Sequence, residues 1–229
     1  MRALRTLLII AVVLGGLLTV ADRLAVAAVE SEAADRIRAE EGLSGTPDVS
    51  IRGFPFLTQV LGGELDRVDV TMTGARATAG GREVRLGELS AELRDVRLEN
   101  GYSRAVAASA TGTARISYEE LRKASDSDVA LGYGGDGKLK VTAGVEVLGR
   151  TLTRSVLSTV SVVDGDTLRV RADEVPGEGI PGVEELVRGR TDFDREVEGF
   201  PVGLSIRLGA ATPDGLEVTV AGRDVVLAG

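Results

Sequence analysis

From Thr6 to Ala21 the chain carries no charge, and this apolar run is preceded by Arg2 and Arg5 and closed by Asp22 and Arg23. A positive flank followed by an apolar stretch is the layout of a membrane-targeting segment, with the N-terminus kept on the cytoplasmic side. The run of about 16 residues is a little short of the ~20 that span a bilayer, and long for the apolar region of a signal peptide. Beyond it, Leu24 to Glu41 contains neither Pro nor Gly. Val26, Val29, Ala33 and Ile37 recur there at helical spacing, and Gly42 is placed as a helix stop. Ala25-Val26-Ala27 offers a small-x-small cleavage site, so release and anchoring both stay open. Cleavage would cut a continuous helix in its middle, which favours the anchor.

After Pro47 the period changes from 3.6 to 2. Val68, Val70 and Met72 alternate with Asp69 and Thr71; Leu89, Ala91 and Leu93 alternate with Ser90 and Glu92. The same alternation returns at Val84/Leu86, Val96/Leu98, Leu139/Val141/Ala143, Val160/Val162 and Leu168/Val170. One apolar and one polar face is the pattern of antiparallel strands packed on one side. Gly- and Asp-rich turns separate the runs at Ala79-Gly80-Gly81, Gly134 to Gly137, Asp164-Gly165-Asp166 and Pro213-Asp214-Gly215. Short helices are expected at Leu57 to Leu61, Val183 to Arg188 and Tyr118 to Ala124, the last with Ser117 and Glu120 as a capping box. Ala172 to Pro181, rich in Pro, Gly and acid, reads as one long surface loop. The pattern thus predicts a targeting segment over 1–23 and a single mostly-β domain over 24–229.

Composition narrows the chemistry. Among 229 residues there is no Cys, no His and no Trp. Disulfides and thiolate metal sites are excluded, and the commonest general base near neutral pH is missing. No cofactor is implied. The net charge of -8 opposes nucleic acid, whose binding depends on Lys and Arg displacing counterions. Asp164/Asp166, Asp126/Asp128 and Asp192/Asp194 are the available carboxylate pairs, and each reads more simply as turn chemistry or a solvated face than as catalysis or a calcium loop. No Gly-x-Ser-x-Gly elbow and no phosphate-binding glycine loop occurs. Binding, not catalysis, is the expectation.

With three Tyr and four Phe, the chain is poorly equipped to stack sugars or bases. A one-sided Val/Leu sheet suits acyl chains: at about 0.8 kcal/mol per buried methylene, a 16-carbon chain gains on the order of 10 kcal/mol before entropic costs. The most distinctive stretch is Gly53-Phe54-Pro55-Phe56-Leu57-Thr58-Gln59-Val60-Leu61-Gly62-Gly63, an apolar plug or a lip able to gate a groove or dip into lipid. Gly199-Phe200-Pro201 echoes its first three residues.

That motif, the N-terminal membrane segment running into a helix, the strand Leu65 to Thr73, and the closing hairpin at Pro213-Asp214-Gly215-Leu216-Glu217-Val218 with Asp224-Val225 resemble the LmeA-like phospholipid-binding proteins of actinobacterial cell envelopes. The resemblance spans essentially the whole chain. It implies an extracytoplasmic, non-enzymatic protein that binds phospholipid and supports lipoglycan maturation. It also implies an α+β, mostly β fold similar to the tubular lipid-binding class: a long curled antiparallel sheet, a half-barrel wrapping an N-terminal helix.

The resulting expectation is an envelope protein on the extracytoplasmic face of the plasma membrane, anchored or secreted, that holds or shuttles phospholipid acyl chains. Phe54, Phe56, Leu57, Val60 and Leu61 are assigned to the mouth of the groove. Val26, Val29, Ala33 and Ile37 face it, and Phe200 completes the apolar set. Two rivals stand beside this reading: an envelope scaffold that contacts proteins and holds no lipid, and a carboxylate-dependent glycan hydrolase.

Overall fold

A computed structural model describes residues 2–41, 47–124, 129–147, 150–174 and 183–227. The apolar run and the helix after it form one unbroken helix, α1 (Arg2–Glu41). Gly42, placed by sequence at its end, lies outside the described residues. There follow β1 (Asp48–Arg52), α2 (Phe56–Gly62), β2 (Glu64–Thr73), β3 (Arg76–Ala79), β4 (Arg82–Arg85), β5 (Glu88–Glu99), β6 (Arg104–Ile116), α3 (Tyr118–Ala124) and β7 (Val129–Tyr133). The remainder is β8 (Leu139–Val147), β9 (Arg150–Val163), β10 (Thr167–Ala172), α4 (Val183–Thr191), β11 (Phe193–Glu198), β12 (Leu204–Thr212) and β13 (Gly215–Leu227). Strand outweighs helix among the described residues, a mostly-β fold with a strongly curled antiparallel half-barrel and an N-terminal helix, as expected.

The strands form a six-stranded sheet in the order β1-β2-β5-β6-β13-β12 and a seven-stranded sheet in the order β4-β3-β11-β10-β9-β8-β7. All pairings are antiparallel. Hairpin chemistry sets the register. Gly80 and Gly81, at φ +58° and +72°, form the two-residue link of β3 and β4, a turn whose central positions both need positive φ. At α3, Glu120 N–H donates to Ser117 Oγ at 3.3 Å, half of the anticipated capping box. The Glu120 carboxylate instead accepts from Lys123 and from the Arg85 N–H. Ala172 ends β10 instead of starting a loop, and 175–182 lie outside the described residues.

One irregularity crosses the six-stranded sheet. Pairing is interrupted at a single row, Asp66, Asp95, Ala108 and Asp224, while register continues on both sides. Asp95 and Asp224 adopt φ +50° and +48°, a conformation Asp tolerates better than most residues. Inward positions therefore slip by one residue, from Leu93 to Val96 and from Ala110 to Ala107. This crease divides the concave face. On one side a solid cluster joins Val26 of α1 to Ile51, Phe56, Leu65, Val96 and Ala107. On the other side Ala75 and Leu86 pack with Ile37, Met72, Leu89 and Ala114 at the far end of the sheet, and a gap is left between the two clusters. A separate core, including Val141, Val160 and Leu168 from one sheet and Ile206, Leu216 and Val218 from the other, fixes the two sheets together.

Candidate functional site

Beyond the crease the concave face encloses a cavity of about 540 Å³. Its floor is the inward alternation of β2, β5, β6 and β13, with Val68, Val70, Leu93 and Val220 among the contributors. Ala33 and Ile37 of α1 form one wall; Ala77 and Val84 of the β3–β4 hairpin and Phe200 contribute others. Among the described residues no charged side chain lines it, and the hydroxyl residues Ser90 and Thr111 also border a depression on the outer face of the same sheet. The volume exists because β6 is built from small residues. Ala110, Gly112 and Ala114 pair with Leu93, Ala91 and Leu89, so a row of small side chains crosses the middle of a face otherwise made of Val, Leu and Ile. The volume falls within the ~300–1,000 Å³ of ordinary ligand pockets. With a methylene taken as about the size of a water molecule, roughly 30 Å³, it holds about 18 such groups.

The Gly53 to Gly63 motif stands on the other side of the crease. Its helix α2 begins after Pro55, which gives no side-chain cap. The cap comes from α1: Leu57 N–H donates to Asp22 Oδ1 at 2.8 Å. Asp22 is buried, 2% exposed, and paired with Arg23 at 2.7 Å. Burial pulls its carboxyl upward, but the Leu57 N–H, Arg23 and the Phe56 N–H together outweigh that and hold it below the usual carboxylate range. Gln59 closes the motif by accepting from Asp66 N–H at 2.8 Å and donating to Arg52 C=O at 3.4 Å. At the end of α2, Gly63 N–H bonds back to Gln59 and Val60. A second tie from α1 is Glu30 Oε1, which accepts Ile51 N–H at 2.6 Å.

A family profile for LmeA-like phospholipid-binding proteins matches residues 20–221. The chain belongs to that family. Searches of curated proteins and of solved structures returned no match. The matched span contains the motif, the packed half of α1 and all of the cavity lining except Val225 and Leu227, and starts two residues before Asp22. The phospholipid-binding family is thus shown from the sequence profile, and the cavity is the feature of this chain that suits an acyl chain.

Within this LmeA-like chain the sequence-assigned residues separate into three groups. Ala33, Ile37 and Phe200 line the cavity. Val26, Phe56 and Val60 belong to the solid cluster across the crease, where Phe56 is 2% exposed. Phe54, Leu57, Leu61 and Val29 are exposed. None of the α2 residues borders the cavity. The floor residues of β5, β6 and β13, which sequence reasoning left unassigned, contribute a large share of it. Their signal is the run of Ala, Gly and Thr in Ala105–Thr113, small residues at inward positions of a strand flanked by larger ones.

The carboxylate pairs do not converge. Asp164 and Asp166 sit in the turn joining β9 to β10, where Asp166 accepts from Thr167. Asp192 accepts from Ala172 N–H, and Asp194 is held by Arg169 at 3.0 Å and Arg171 at 2.8 Å. Asp192 lies level with Ala172 at the far end of β10, and Asp194 lies opposite Arg169 near its middle, about 10 Å by strand rise from Asp166. Asp126 and Asp128 lie outside the described residues. Among the described residues no group of three or more His, Cys, Asp or Glu is placed to hold a metal.

Proposed function

We propose that the chain holds one acyl chain of a phospholipid in the cavity beyond the crease, at the extracytoplasmic face of the membrane from which α1 emerges. In keeping with the family, it would hold or shuttle that lipid in support of lipoglycan maturation. The observation that carries the reading is an apolar cavity of about 540 Å³ with no charged lining residue among those described. A solid Val/Leu core would have favoured the scaffold reading instead. The cavity's capacity suits one chain, so the second chain of a diacyl lipid stays outside or in the bilayer. Retention of α1 as an anchor is supported by what cleavage after Ala27 would remove: Asp22, the cap of α2, and Val26, part of the cluster beneath it. Native mass spectrometry of the detergent-free protein tests the proposal. A mass increment matching one phospholipid is expected; a clean apo mass together with no uptake from phospholipid vesicles overturns it.

A further inference from the structure

We infer that the end of the six-stranded sheet nearest α2 is an apolar rim that seats in the outer leaflet of the bilayer. The proposal rests on the anchored reading of α1 and is independent of what the cavity holds. Three separate segments converge there. Leu98 N–H donates to Gly63 C=O, Leu98 pairs with Ala105, Ala105 pairs with Leu227, and Val226 N–H donates to Val202 C=O. This row brings α2, the β5–β6 turn and the segment before β12 to one sheet end. Tyr102 of that turn also donates its hydroxyl to Val60 C=O at 3.3 Å. Each segment presents an apolar side chain to solvent: Leu61 is 84% exposed, Val202 76%, Phe54 62% and Tyr102 62%. The fold does not need them there, because the core beneath is already closed by Phe56 and Val26.

The occupant follows from continuity. Leu8 to Ala21 of α1 is exposed throughout, and it leaves the domain at Asp22, the residue bonded to α2. The uncharged run of about 16 residues rises about 24 Å as helix, against a hydrocarbon core of ~30 Å. A short span is accommodated by drawing its flanks toward the membrane. The flank here is the rim, and Arg23, stacked 5.3 Å over the Phe54 ring, is the cation expected at headgroup level. With a net charge of -8, seating relies on apolar burial and so should be insensitive to salt.

The absence of Trp makes the test clean. Full-length Leu14→Trp, Leu61→Trp, Val202→Trp and Thr73→Trp variants are reconstituted in phosphatidylcholine vesicles whose acyl chains are brominated near the terminal methyl, to reach Leu14, or near the headgroup, to reach the other three positions. Thr73 lies at the far end of β2, about 30 Å from the rim by strand rise. Blue-shifted emission and loss of most signal at Leu14, Leu61 and Val202, with Thr73 unquenched, is the expected result. Quenching at Leu14 alone, or equal quenching at Thr73, overturns the rim while leaving the anchor. No quenching at Leu14 defeats the anchored reading, and the rim with it.

Discussion

Asp22 does more than close the apolar run, because its carboxylate replaces the cap that Pro55 cannot supply. Its folded pKa is lowered, so the unfolded chain binds the proton more readily and stability rises with pH through this group. The contribution is complete above the ordinary aspartate range and is lost as pH falls through the lower folded value. Asp22→Asn should therefore be less stable than wild type at neutral pH and lose part of the acid dependence of the thermal midpoint. Equal pH slopes in the two proteins would remove Asp22 from that role. Phe56 and Leu61, both assigned to a mouth by sequence, should behave oppositely in denaturant titrations. Phe56→Ala should cost about 3–5 kcal/mol and Leu61→Ala no more than about 0.5. Sequence gave both as apolar members of one motif. It could not separate them, because the partners that bury Phe56 come from α1 and from strands up to 50 residues away.

At the scale of elements, period and turn chemistry located β2, β4, β5, β8, β9 and β10, since a one-sided sheet writes its register into alternate residues, but left β6 and its small residues unassigned. Helices α2, α3 and α4 fell within a few residues of their expected bounds. The crease was written there too, as the one-residue slip between Leu93 and Val96, but its meaning depends on four strands slipping at one level. The Gly-Phe-Pro echo marks a shared turn and not a shared role: Gly53 and Gly199 both have positive φ, yet Phe54 faces solvent and Phe200 faces the cavity. The cavity itself was illegible because volume is set by what faces a strand, not by the strand. If the small row of β5 and β6 makes that volume, Ala91→Phe should take up about a third of it. A phenyl displaces roughly six methylene-sized groups, each worth about 0.8 kcal/mol, so lipid co-purifying with the variant should fall at least about tenfold with folding retained. Undiminished lipid in a folded Ala91→Phe protein would place the ligand elsewhere.

Over the whole molecule, α1 joins two environments. Its stretch from Leu8 to Ala21 is exposed and apolar, and compatible with a membrane anchor; its second half supplies a cap, a core residue and a cavity wall. The crease marks where a closed cluster under α2 gives way to an open cavity, with Val68, Leu93 and Leu227 touching both. In the account proposed here the anchor holds that cavity close to the bilayer that supplies its ligand. The most direct measurement is photo-crosslinking of the full-length protein in vesicles containing a phospholipid with a diazirine midway along one acyl chain, followed by peptide mapping. Adducts on the floor strands around Val70, Ala91 and Ala114, lost in Ala91→Phe, are predicted. Adducts confined to α1 and the α2 rim, and unchanged in that variant, would contradict it.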